Sequence, residues 1–177
     1  MKDMSIDTIA ASRAATVTAL SPVARFSLRG RGDAVAALSA ALGVELLARV
    51  GARAQAGARD VLCLGPDEWM IHAPEGDAAA IINACAGVAA PHALVEVSDR
   101  ELSYAITGPQ AAELLTLGCP RDPDSIAVGE GRRTVFDGAT VILWRDGRDA
   151  FRMDVWRSFA PHVTHLLATG CRELALG

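Results

Sequence analysis

At 177 residues, 51% of them hydrophobic, the chain has enough apolar material for one domain, or for two small halves sharing a core. Its formal charge of −4 comes from acidic and basic residues interspersed along the whole length, which leaves no extended cationic face for a phosphate backbone and argues against nucleic acid as a partner. The longest apolar runs, such as Val141 to Trp144 and Ala78 to Ile82, fall far short of the roughly 20 residues needed to cross a bilayer. Lys2, Asp3, Asp7 and Arg13 interrupt any secretory leader, so the expectation is a cytoplasmic protein.

Residues 1–21 read as an N-terminal arm. Alternation then predicts a strand over Arg25 to Arg29, with Phe26 and Leu28 inward. A helix follows, its stripe formed by Val35, Leu38, Ala41 and Leu42, with Gly32 or Asp33 as N-cap and Gly43 as the stop. Val61 to Leu64 and Glu68 to His72 flank Gly65-Pro66-Asp67 and predict a hairpin. A second helix is expected from about Asp77 to Cys85.

The same order then returns. Strands are predicted at Leu94 to Val97 and Glu101 to Thr107, a helix opens at Gly108-Pro109 and carries Ala111, Leu114 and Leu115, and Thr140 to Arg145 pairs with Ala150 to Arg157 as a second hairpin. A last helix spans about Phe159 to Ala168. Phe26 to Gly30 superposes on Tyr104 to Gly108, and Trp69 falls near Phe151. The fold class expected is therefore α+β, built from two ferredoxin-like strand-helix-hairpin-helix repeats at about 22–90 and 93–172.

Motifs for chemistry are sparse. Gly30-Arg31-Gly32 begins like a dinucleotide fingerprint, but Val35 stands where the third glycine belongs, and a strand-to-helix turn explains it. Cys63, Cys85, Cys119 and Cys171 match no zinc-ligand or disulfide spacing and read as buried hydrophobes. His162 and His165 share a helix face without an evident third ligand, no Gly-x-Ser-x-Gly elbow occurs, and Asp99 and Glu101 read as solvated carboxylates. No catalytic, cofactor-binding or metal-binding residue is assigned.

Two features point instead to contact with another molecule. Gly129-Glu130-Gly131-Arg132-Arg133 combines free backbone amides with two arginines, which suits a small anion or an acidic partner chain. On the last strand, Phe151, Met153 and Val155 take one face and Arg152, Asp154 and Trp156 the other. An indole on a charged face needs cover. Trp156, Arg157 and Phe159, with Arg132 and Arg133, are the interface candidates.

Leu64-Gly65-Pro66-Asp67-Glu68-Trp69 and Trp156-Arg157-Ser158-Phe159-Ala160-Pro161 resemble the gamma subunit family of heterotetrameric sarcosine oxidase. Val97-Ser98-Asp99, Thr107-Gly108-Pro109-Gln110-Ala111-Ala112-Glu113-Leu114-Leu115 and Gly118-Cys119-Pro120 extend the likeness over most of the chain. The resemblance implies a fold related to the folate-binding aminomethyltransferases and a non-catalytic structural subunit. The complex it implies converts sarcosine, oxygen and tetrahydrofolate to glycine, hydrogen peroxide and methylenetetrahydrofolate. Its partners are alpha, beta and delta subunits, chiefly alpha, which carry the FAD, FMN, NAD, zinc and tetrahydrofolate. Aminomethyltransferases bear an Asp-Asp pair just before a strand resembling Val141-Ile142-Leu143-Trp144-Arg145; here that pair is Ala139-Thr140, and Asp137 would reach it only by a register shift. The competing expectation is a stand-alone folate-binding one-carbon protein with a ligand in the groove between the repeats and Arg132 or Arg133 on the glutamate tail; a structural homodimer is a third.

Overall fold

A computed structural model describes residues 5–176. The chain begins with two strands, β1 (Ser5–Ala11) and β2 (Thr16–Leu20), paired antiparallel across a tight turn in which the Ser12 amide donates to the Ala15 carbonyl at 2.9 Å. It then runs through β3 (Ala24–Gly30), α1 (Asp33–Leu42), β4 (Arg53–Ala56), β5 (Arg59–Gly65), β6 (Glu68–Ala73), α2 (Ala78–Ala86) and β7 (His92–Glu96). The remaining elements are β8 (Glu101–Thr107), α3 (Ala111–Thr116), β9 (Gly131–Phe136), β10 (Ala139–Gly147), β11 (Ala150–Trp156) and α4 (Ala160–Leu174). The chain divides into two compact units, Pro22–Ser98 and a second made from the segment ending at Ser21 and the segment starting at Asp99.

In the unit of residues 22–98, β3 lies between β6 and β7, and all neighbours in the order β4-β5-β6-β3-β7 are antiparallel. Phe26 and Leu28 of β3 face inward as their alternation requires, and meet Val61, Cys63, Trp69 and Ile71 from the hairpin and Leu38, Leu42, Ile81 and Cys85 from the helices. Each large apolar side chain buried in this way stabilises by roughly 2–3 kcal/mol. The Trp69 indole donates to the Leu47 carbonyl at 2.8 Å, so its one polar atom is satisfied inside the core. Helix α1 presents Ala34, Leu38 and Leu42 at four-residue spacing and ends at Gly43, whose φ of 64° is open to glycine at little cost. Gly32 occupies the N-cap with no side-chain hydrogen bond, and Asp33 supplies the acidic group in the first turn.

In the second unit the order is β1-β2-β8-β11-β10-β9, again antiparallel throughout. Val17, Tyr104, Ile106, Val141, Leu143, Phe151, Met153 and Val155 form one face of the sheet, against Leu114 and Leu115 of α3 and Val163, Leu167 and Cys171 of α4. The two helices approach closely at Gly170. A Cβ there would stand 2.6 Å from Leu114 Cδ1 and closer still to Leu117 Cδ1.

Three boundaries differ from the sequence reading. Residues 5–20 are no arm: β2 pairs with β8, and Val17 is fully buried in that core. Alternation is hard to see in β1 because the pairing slips between Ser5 and Asp7 and again between Thr8 and Ala10, which breaks the period of two. The strand near residue 94 pairs with β3, so it closes the first unit and does not open the second. Helix α4 continues to Leu174, and the edge strands β4 and β9 carry too many charged or small residues for hydrophobic alternation to announce them.

Candidate partner interface

Strand β11 positions the principal candidates. Phe151, Met153 and Val155 enter the core, which sends Arg152, Asp154 and Trp156 to the opposite face. Along that face the environment changes abruptly. Asp154 is only 1% exposed and accepts hydrogen bonds from the Trp144 indole at 2.6 Å and from the Ser103 hydroxyl. Arg152 lies over the Trp144 ring at 4.7 Å from its centroid and donates to Asp146 at 2.6 and 3.1 Å. Trp156, the last residue of the strand, is 44% exposed.

The chain turns immediately after Trp156. The Phe159 amide donates to the Trp156 carbonyl at 2.9 Å, and the Val163 amide to the Phe159 carbonyl at 3.0 Å, which starts α4 with Pro161 in its first turn, where a missing N–H costs nothing. Phe159 is left 43% exposed. Two arginines frame this turn. Arg100 lies 5.6 Å from the centroid of the Trp156 ring and donates through Nε and Nη2 to Glu101 Oε1, at 3.2 and 2.7 Å. Arg157 is anchored by its amide on the Arg100 carbonyl at 2.9 Å and by Nε on the Asp99 carbonyl at 3.0 Å. Glu101 pairs across the sheet with Trp156 and is 3% exposed.

Arg132 and Arg133 are not part of this cluster, because β10 runs between their strand and β11. They are successive residues of β9 and so leave the strand on opposite faces, which prevents both from converging on one anion. Arg132 donates to Glu130 at 3.1 Å and to the Gly131 carbonyl at 2.7 Å. The amides expected to cradle an anion are already used: Gly129 donates to the Arg145 carbonyl at 2.8 Å and Glu130 to the Ala127 carbonyl at 3.0 Å. An anion-binding loop is therefore not supported there.

Sequence reasoning missed Arg145. Its guanidinium is almost completely buried and donates to the carbonyls of Ile126 at 2.8 Å, Arg148 at 3.1 Å and Asp124 at 3.2 Å, and to Asp124 Oδ1 at 2.7 Å, while standing 5.3 Å from the Phe151 ring centroid. One side chain thus organises the loop between α3 and β9. The only signal in the sequence is an arginine ending an otherwise apolar run.

Ala139 is buried in the core and pairs with Phe136, so the register of β9 and β10 is set, and Asp137-Gly138 forms the two-residue turn between them with φ of 45° and 81°. Asp137 Oδ2 lies 2.7 Å from His162 Nε2, and its amide donates to the Gly118 carbonyl at 2.8 Å. Asp137 thus sits in the turn, its side chain half exposed beside His162 of α4. Among the described residues no three His, Cys, Asp or Glu side chains cluster as a metal site would require. The four cysteines are buried, and burial pushes the thiols of Cys85 and Cys171 upward in pKa despite the nearby Arg59 and Arg172.

An α+β chain with two antiparallel sheets of this kind is similar to the glycine cleavage system aminomethyltransferase T of Bartonella henselae, with a TM-score of 0.68 at 20% identity over 88% of this chain and 46% of that one. That likeness defines the class of fold. A chain of the heterotetrameric sarcosine oxidase from Corynebacterium sp. U-96, solved in complex with pyrrole 2-carboxylate, superposes with a TM-score of 0.83 at 31% identity, covering 97% of this chain and 91% of that one. Sarcosine oxidase subunit gamma of Corynebacterium sp. (strain U-96) is 31% identical over 174 residues, 94% of this chain and 84% of that protein. The Arthrobacter sp. subunit gamma is 34% identical over 145 residues. Residues 31–172 match the model of the sarcosine oxidase, gamma subunit family, and the chain belongs to that family.

Proposed function

We propose that this chain is a non-catalytic structural subunit of a heterotetrameric sarcosine oxidase. The observation that carries the reading is the near full-length match to one chain of such a complex, over 97% of this chain and 91% of the other. In this reading Ala139-Thr140 stands where the resemblance places the carboxylate pair of the aminomethyltransferases, which supports a structural role. The partners in this reading are alpha, beta and delta subunits, chiefly alpha. They bring the FAD, FMN, NAD, zinc and tetrahydrofolate with which the assembly converts sarcosine and oxygen to glycine and hydrogen peroxide and yields methylenetetrahydrofolate. The site of action is the cytoplasm, in keeping with the lack of a helix long and apolar enough to cross a membrane among the described residues.

The fold itself is read as a duplication of a ferredoxin-like unit. In 22–98 the strands β7-β3-β6-β5 stand in the order that β2-β8-β11-β10 take in the other unit, with β4 and β9 as the added edges. One repeat closes with the strand after its second helix, and the other takes the equivalent strand from the start of the chain.

Co-purification of the tagged chain from its own cell extract at low salt tests the functional reading. Recovery of three further chains with flavin absorbance is the expected result, with sarcosine-dependent peroxide production in the assembly and none from the chain alone. A monomer with no companion, giving saturable heat with tetrahydrofolate, would replace it with the stand-alone folate-binding protein.

A further inference from the structure

We infer that the turn between β11 and α4 is the docking site for a partner-subunit segment that places an apolar side chain beside a carboxylate, the first received by Trp156 and Phe159 and the second by Arg157. The inference rests on the reading of the chain as a subunit. Two large aromatic side chains are 44% and 43% exposed within one tight turn, held together by the bond from the Phe159 amide to the Trp156 carbonyl. Exposed aromatics framed by arginine are the composition that interface centres select, since they bury much area with little loss of side-chain freedom.

The charges around the turn determine the occupant. Arg100 cannot serve an incoming group: it is the paired cation of Glu101, which is 3% exposed and whose second oxygen, Oε2, has no hydrogen-bond partner among the described residues. Removing Arg100 would strand a buried carboxylate, which is costly. Its fixed position over Trp156 therefore belongs to the receiving surface. Arg157 differs. Its Nε is held by a backbone carbonyl, and its guanidinium makes no ion pair with the neighbouring Asp99 carboxylate or with any other among the described residues. A pre-positioned guanidinium with both Nη groups to offer, beside an exposed aromatic pair, is complementary to a carboxylate next to an apolar side chain.

The test measures dissociation of the tagged full-length chain from its co-purified partner subunits at low and moderate salt. Trp156→Ala and Arg157→Glu are each expected to weaken association about tenfold or more, Arg157→Gln less than Arg157→Glu, while Arg121→Glu, an equal charge change on another exposed arginine, leaves it unchanged. Asp99→Asn should tighten or preserve binding if the incoming group is a carboxylate. Thermal unfolding of each variant chain separates lost docking from lost folding. The inference is overturned if folded Arg157→Glu binds within threefold of wild type, if Arg121→Glu weakens binding equally, or if Asp99→Asn loosens it, which would mark a cationic occupant. Failure of the wild-type chain to associate with any partner would overturn the subunit reading, and this inference with it.

Discussion

Single residues in this molecule act through what their atoms exclude. Gly170 allows α4 to lie against α3, and a methyl group there would overlap both Leu114 and Leu117. Gly170→Ala is therefore expected to destabilise by about 1–3 kcal/mol, a loss seen as an earlier midpoint in urea with an unchanged slope. Burial acts on titration as well. The thiols of Cys85 and Cys171 and the phenol of Tyr104 are held above their ordinary values by desolvation, opposed in each case by a nearby arginine. An acid harder to ionise when folded leaves stability intact below its unfolded pKa, and the contribution is lost as pH rises toward the folded value. The contribution of these three groups to the unfolding free energy should thus be constant up to about pH 8 and fall above the ordinary thiol range near 9. A thiol-specific reagent at pH 8 should label none of the four buried cysteines until denaturant is added; rapid labelling of the native chain would contradict the burial.

At the level of elements, the hairpins and the core-facing strand segments were legible because alternation and turn chemistry agree there. Gly65-Pro66-Asp67 joins β5 to β6, and the Phe151, Met153 and Val155 stripe faces the core as its spacing requires. The Asp137-Gly138 turn followed the two-residue hairpin chemistry of Asp-Gly but was not recognised, because β9 before it reads Arg-Arg-Thr and lacks an apolar period. The loop ahead of β9 depends on Arg145. Arg145→Met should leave the carbonyls of Ile126, Asp124 and Arg148 without their donor and cost about 2–4 kcal/mol of local stability. Amide exchange across residues 121–130 would read this directly, with fast exchange in the variant and little change in α4; equal protection in both proteins would show the loop to be held otherwise.

For the whole molecule, residues 14–20 are structural. Val17 and the neighbouring Ala14 and Ala15 are buried, and β2 completes the sheet beside β8. Deleting residues 1–20 should uncover one edge of the core at Tyr104 and Ile106 and leave a chain that loses cooperative unfolding or aggregates. Near-ultraviolet circular dichroism and a urea titration of the truncated chain would check this. A truncated form as stable as the full chain would restore the view of an independent arm.

The order of residues was enough for the α+β class, both central hairpins, the inward faces of β3 and β11 and the family, because these depend on local periodicity and on short motifs whose chemistry is read in order. Which sheet each strand joins emerged with the packed fold. Alternation states which face of a strand is apolar but not which neighbour supplies its hydrogen bonds, so β2 and β7 were assigned only when their partners β8 and β3 were seen. The division of one polar face into a buried Asp154 and an exposed Trp156 was likewise beyond sequence, since exposure depends on what lies over a residue and not on its own side chain.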